Sequence, residues 1–345
     1  MIDLLNLEPV KTSIDLNSYT TFIYGIPKIG KSTFVYNLYK DKVLFLATEN
    51  RYKVLSGAMV QKINTWSDYL TVLAQLRNSK LKEKFDVICI DTVENLYNML
   101  EEYILAKYKE TEFGLADWGK DWVDLKNSWK NGLSLIEQIG YSPCFISHAI
   151  QVTEKIPASG ILKEQVNNTM TLVKNKNSED YYEFTKYVPD LKDKVFSPIN
   201  KMVDNILFMN ITTDEKGAEH RVAYLRGSLQ WLAGSTFTDI KSVIPLDAEE
   251  YKKAVNEALN LIDKDYTKIE KEENSYDSQQ ELDFDELMNE AKKIGVDLIK
   301  ADKKIEMQKI VDEVFGVGNK LTLATKDQVQ LLYVAVQRLK ELLEA

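Results

Sequence analysis

The chain has 345 residues, of which 44% are hydrophobic, 10% aromatic and 28% charged, with two cysteines and two histidines. This is ordinary globular composition, and it excludes wholesale disorder, a collagen-like chain and a disulfide framework. The formal charge of −9 argues at first sight against a nucleic-acid partner, whose phosphates attract a basic surface. The charge is unevenly spread, however: residues 263–290 carry 3 basic and 11 acidic side chains, against 31 and 34 in residues 1–262. The net charge therefore marks a segment boundary and leaves the remainder nearly balanced.

Cys89 and Cys144 lie inside apolar runs, where free thiols are commonly buried, and no Cys/His spacing resembles a zinc site. A reducing cytosol is the simplest compartment. The start, MIDLLNLEPVK, lacks a basic region followed by a long apolar core, so no signal peptide is expected. No apolar run approaches the roughly 18–20 residues that span a bilayer, so a soluble, cytoplasmic protein with no membrane partner is expected.

In chain order, TTFIY at Thr20–Tyr24 predicts a strand, followed by a glycine-bearing loop and a helix near Lys31–Tyr39. Val43–Thr48 predicts a second strand, and Trp66–Arg77 an amphipathic helix with Thr65 as its cap. Phe85–Ile90 predicts a third strand, with helices over Val93–Tyr108 and Asp117–Ile139, and Pro143–Ser147 a fourth strand. Continuous apolar strands alternating with helices imply βαβ units and a mainly parallel sheet, hence an α/β fold. From Gln151 to about Pro198 periodicity is weak, which suggests a functional loop, a lid or a small insertion over 151–198. Met202–Ile211 and Arg221–Arg226 then predict two strands joined by a turn. The acidic segment reads as a linker over 263–283, ahead of helices near 284–295, 302–315 and 326–343. The expected organisation is a core over 1–262 and a helical module over 284–345.

The strongest chemical signal is Gly25-Ile26-Pro27-Lys28-Ile29-Gly30-Lys31-Ser32, followed by Thr33, a full G-x-x-x-x-G-K-[ST] between a strand and a helix. Backbone N–H groups of such a loop form an anion nest, and the helix start adds positive potential at the phosphates. Lys31 is expected to bridge the β- and γ-phosphates of ATP, and the Ser32 hydroxyl to ligate Mg²⁺. The third strand delivers Asp91 at its carboxyl end, where it can orient the same Mg²⁺. Asp91 would alternatively cap the next helix, with Glu94 completing a capping box. The residue after Asp91 is Thr92, so a hydrolytic base must come from elsewhere. Glu49, at the end of the second strand, is the first candidate and Glu94 the second. Ser147-His148 closes the fourth strand, where His148 would either sense the γ-phosphate or serve as an ordinary structural histidine.

The order of the loop, the strand ending at Glu49, Ile90-Asp91-Thr92-Val93 and the strand ending at His148 resembles the RecA-type recombinase core. It looks most like phage-encoded RecA-like ATPases implicated in single-strand annealing and recombination, over about residues 18–235. The resemblance implies DNA-stimulated ATP hydrolysis on single-stranded DNA in recombination, annealing or replication. It also implies sites completed between subunits of a homo-oligomeric ring or filament in the host cytosol. It maps DNA contact to 151–198, with Lys155, Lys163, Lys174 and Lys176 as candidates, and it gives Arg226 the role of a positive charge offered to a neighbour's γ-phosphate, with Arg221 as the alternative. The C-terminal helices would dock a single-strand-binding or other recombination protein, and the acidic segment would be a solvated linker or a DNA mimic.

Two other classes stay open. A nucleotide-sensing interaction protein would bind ATP and turn over slowly. A small-molecule phosphotransferase would need several arginines for its phosphates, whereas this chain has Arg51, Arg77, Arg221, Arg226 and Arg338. Arg51 and Tyr52 are neighbours of the nucleotide by position. Trp118, Trp122, Leu125, Trp129 and Leu133 share one helical face and are expected in a core.

Overall fold

The computed structural model describes residues 13, 15–49, 52–53, 55–162, 166, 169–175, 179–214, 216–262, 284–315, 320–325 and 329–344. The strands are β1 Thr21–Gly25, β2 Val43–Ala47, β3 Met59–Lys62, β4 Val87–Asp91, β5 Ser142–Pro157, β6 Thr171–Val173, β7 Tyr181–Pro189, β8 Asn205–Thr213, β9 Glu219–Tyr224, β10 Gly234–Ser235 and β11 Val243–Pro245. The helices are α1 Lys31–Tyr39, α2 Trp66–Gln75, α3 Ser79–Lys84, α4 Val93–Tyr108, α5 Lys120–Ile139, α6 Asp193–Met202, α7 Ala248–Ile262, α8 Phe284–Lys300, α9 Lys304–Phe315 and α10 Val329–Glu344. None of the described helices is long and apolar enough to cross a membrane.

Two compact units are present, and they follow space rather than chain order. The first gathers the described residues of 1–62, 86–97 and 142–271. Its sheet runs β11-β9-β8-β1-β5-β4-β2-β3, with β8, β1, β5, β4, β2 and β3 mutually parallel. The expected α/β architecture with a mainly parallel sheet is therefore present. The strands β1 and β4 are buried at every position, which is why they read as unbroken apolar runs. Under one face, Ile23, Cys89, Cys144 and Leu207 pack with Val35 and Leu38 of α1 and with Val255 and Leu259 of α7.

The predicted irregular region is ordered differently from expectation. Strand β5 does not stop at Ser147; from Ala149 it leaves the parallel sheet and pairs antiparallel with β7 as far as Pro157. The short strand β6 adds to β7, and α6 follows, so 151–198 contains a β-ribbon and a helix. Its pattern is weak because half-buried and exposed residues alternate from Val152 to Pro157, while most of β7 is half-buried with Phe184 and Pro189 buried. Lys, Thr and Tyr consequently stand where a buried strand would carry Val or Ile.

The second unit gathers 63–85, 98–141 and the described residues of 272–345. Helix α2 starts as expected at Thr65, in a reciprocal capping box with Asp68. It packs on α5 through Trp66 and Trp129, whose rings lie 6.3 Å apart, and through the Tyr69 hydroxyl, which donates to the Gly132 carbonyl at 2.9 Å. Close approach explains Gly132, since a Cβ there would meet Trp66 at 2.6 Å. Helices α8 and α10 share a core of Leu287, Ala291, Leu298, Leu332, Val336 and Leu339. Arg338 reaches Tyr103 at 3.1 Å, and Arg77 lies over the Tyr333 ring at 5.5 Å.

The tryptophan stripe is only half a core feature. Leu125, Trp129 and Leu133 are buried, but Trp122 is 41% and Trp118 98% exposed. Trp118 and Gly119 both take left-handed φ, which breaks the chain direction ahead of α5 and puts Trp118 off the helical face. Asp121, fully buried, fixes this entry by accepting from the Gly114 and Trp122 amides.

Candidate nucleotide site

The site is built at the carboxyl edge of the parallel sheet, in the first unit. In register, Gly25 of β1 stands beside His148 of β5, and Asp91 of β4 beside Ile146, so β5 separates the glycine loop from Asp91. Open parallel sheets bind ligands at this edge. The loop from Gly25 to Gly30 turns through left-handed backbone at Lys28 (φ 66°) and Gly30 (φ 112°) and delivers Lys31 and Ser32 to the first turn of α1. No side chain caps α1, which leaves its first N–H groups to an anion. Gly25 answers to packing as well, because a Cβ there would lie 2.3 Å from the Met209 carbonyl of β8.

Lys31 is buried, and its ammonium donates to the loop carbonyls of Gly25 at 2.9 Å and Ile26 at 3.2 Å. The Ser32 hydroxyl donates to Asp91 Oδ2 at 2.6 Å. The Tyr52 hydroxyl donates to the same oxygen, also at 2.6 Å, with its ring set 5.3 Å from Phe45. Asp91 thus turns toward the loop and bonds Ser32 and Tyr52. Burial pushes its carboxyl above the ordinary range, opposed by those two hydrogen bonds and by Lys31, with Glu49 adding to the rise. Burial also drives the Tyr52 phenol far above its ordinary value, so it stays a donor. The link from Tyr52 to Asp91 escaped the sequence, where Tyr52 was marked only by lying just past Glu49.

Glu49 lies just beyond β2, half-buried, and accepts from Asn95 at 3.3 Å. Glu94, in the first turn of α4, accepts on Oε1 from the His148 backbone N–H at 3.1 Å and meets His148 Nδ1 at 2.6 Å. The two expected candidates, Glu94 and His148, are therefore one unit, which no sequence spacing reveals.

Other expected residues lie elsewhere. The Arg226 guanidinium donates to the carbonyls of Ser235, Phe237 and Thr238 and so ties its own chain together. Lys155 and Lys174 belong to the ribbon region, apart from the glycine loop in the fold. Lys155 pairs with Glu183 at 3.4 Å and lies over the Tyr181 ring at 5.0 Å. Arg51, Lys163, Lys176, and the acidic linker over 263–283 lie outside the described residues.

The donor set fits a nucleotide with Mg²⁺. Mg²⁺ takes hard oxygens and usually only one or two from protein, the rest coming from water and phosphate. Ser32 Oγ and Asp91 Oδ2 are such a pair, and among the described residues no cluster of three His, Cys, Asp or Glu forms a self-sufficient metal cage. A carboxylate that burial disfavours as an anion gains most from a nearby cation.

A glycine-cornered loop between strand and helix, a buried lysine at its end and a Ser–Asp pair across the sheet edge define a P-loop ATPase domain. The AAA domain family model matches residues 17–237, and the chain belongs to that family. It is also similar over nearly its whole length to the SPbeta prophage-derived uncharacterized protein YorG of Bacillus subtilis (strain 168). The two are 24% identical over 355 residues, covering 99% of each chain.

Proposed function

We propose that this protein is a Mg²⁺-dependent ATPase that acts on single-stranded DNA in phage-type recombination, annealing or replication. The observation that carries the enzymatic reading is the 2.6 Å contact of Ser32 with Asp91 beside the buried Lys31. Lys31 and the loop N–H groups are placed to hold the phosphates; Ser32 and Asp91 would hold Mg²⁺, which would supply positive charge to offset the phosphates. Glu49 and the Glu94–His148 unit are the carboxylates available to the attacking water.

The DNA reading is supported by the RecA-like order of these elements, by similarity to a prophage-derived protein and by the ribbon that grows out of β5 at Ala149. The same strand carries His148 at the ATP site and Lys155 on the ribbon, giving nucleotide state and ribbon a shared backbone. Sites completed between copies, and cytosolic action on host or phage DNA, belong to the same reading.

Steady-state ATPase measured with and without single-stranded DNA tests it. Turnover is expected to rise with DNA, and Lys31→Ala to lower it by about 100-fold, as loss of a preorganised phosphate donor does. Turnover that ignores DNA removes the nucleic-acid half of the reading; turnover that survives Lys31→Ala removes the enzymatic half.

A further inference from the structure

Resting on the ATP-hydrolysis half of that reading, we propose that Glu94, held by His148, is the carboxylate that accepts the proton of the attacking water. Glu49, which ends the strand that follows the P-loop helix, is by position the first candidate for that role. The structure separates the two. Glu49 Oε1 already accepts from Asn95. Glu94 divides its two oxygens: Oε1 takes both the N–H and the Nδ1 of His148, while Oε2 is buried and bonds nothing among the described residues.

Leaving a buried carboxylate oxygen unpaired is costly, and folded proteins rarely do so without a use for it. A second such atom lies two residues away. Thr92 Oγ1 is buried and without a partner among the described residues, on a residue only 2% exposed. Thr92 and Glu94 lie one and three residues past Asp91, where β4 gives way to α4 at the carboxyl edge of the sheet. His148, the partner of Glu94, stands in register with Gly25, the first residue of the glycine loop.

The step balances within these groups. A water O–H proton passes to Glu94 Oε2 as the water oxygen bonds the γ-phosphorus. The bond from that phosphorus to the β,γ-bridging oxygen breaks, and its electron pair leaves with ADP. The proton then returns from Glu94 to the phosphate product. His148 is a positioning residue: its two bonds to Oε1 fix the carboxylate so that Oε2 stays turned to the water.

The test compares Glu94→Gln, Glu49→Gln, His148→Asn and His148→Ala in the full-length chain. It measures Kd for a fluorescent N-methylanthraniloyl ATP analogue, kcat and KM, with circular dichroism confirming the fold. Glutamine keeps the acceptor toward His148 and removes the base. The expected result is a kcat about 100-fold or more lower in Glu94→Gln with analogue affinity within about twofold of wild type. Glu49→Gln should lower kcat by less than Glu94→Gln does. His148→Asn, which keeps an N–H donor near the Nδ1 position, should recover part of the kcat lost in His148→Ala at unchanged KM.

A Glu94→Gln enzyme turning over within about fivefold of wild type overturns the proposal, as does one whose loss of turnover is matched by loss of analogue affinity. Those results leave wild-type hydrolysis intact and are distinct from failure of the enzymatic reading, in which the wild-type chain binds the analogue and hydrolyses nothing.

Discussion

At the scale of single residues, the two glycines of the loop do different work. Gly25 has no positive φ; what forbids a side chain there is the Met209 carbonyl, 2.3 Å from where its Cβ would stand. Gly25→Ala must therefore push β1 away from β8, with an expected loss of about 3 kcal/mol read from the urea midpoint. Gly30 has open space around its missing Cβ and is held by its φ of 112°. Gly30→Ala should cost about 1 kcal/mol in stability, and affinity for an ATP analogue should fall more than stability does. Equal stability losses in the two variants would refute this division. The motif was legible because local spacing carries it; the role of Met209 was not, because it comes from strand pairing between distant segments. The same holds for Tyr52 on Asp91 and for Glu94 on His148, where residue types were visible and partners were not.

At the scale of elements, apolar periodicity found the buried strands and most helices but failed where elements are half wet. The ribbon of β5 and β7 is one case. The entry to α5 is another, where the tryptophan spacing continued past the point at which left-handed residues end the helix. Trp118→Ser should accordingly leave the thermal midpoint within about 1 °C of wild type, while Trp129→Ala, which empties a buried site, should lower stability by about 3–5 kcal/mol. A large loss from Trp118→Ser would mean that the residue is packed after all. The C-terminal end of α4 is tied to α5 by Asp124, which accepts from Lys107 and from the Tyr108 hydroxyl, each at 2.7 Å. Burial raises the Asp124 carboxyl, but those two bonds outweigh it and hold it below its ordinary value. A carboxyl lowered on folding stabilises above its unfolded pKa and loses that contribution as pH falls through the folded one. Asp124→Asn should thus cost about 0.5–1 kcal/mol at pH 7, a small figure because Lys107 is half exposed. The difference from wild type should shrink toward zero in urea titrations carried below the ordinary aspartate range.

At the scale of the whole molecule, the sequence suggested a core ending near 262 and a module hung from an acidic linker, since charge and periodicity both change there. Spatial grouping runs otherwise, placing α2, α3, α5 and most of α4 with the C-terminal helices. That grouping rests on particular contacts within the second unit: Arg338 to Tyr103 of α4, and Arg77, just past α2, over Tyr333 of α10. Helices α8 and α10 bury Leu298, Leu332, Val336 and Leu339 in their shared core. A chain cut after Ile262 loses these partners, whereas a freely tethered module would be lost without effect on what remains. The truncated protein should melt at least about 3 °C lower than the full chain, the shift of roughly 2 kcal/mol in a protein of this size. Calorimetry of both forms decides the matter. An unchanged midpoint would make 284–345 an independent appendage, and a lowered one would mean that the helices threaded between the strands depend on the C-terminal segment for their stability.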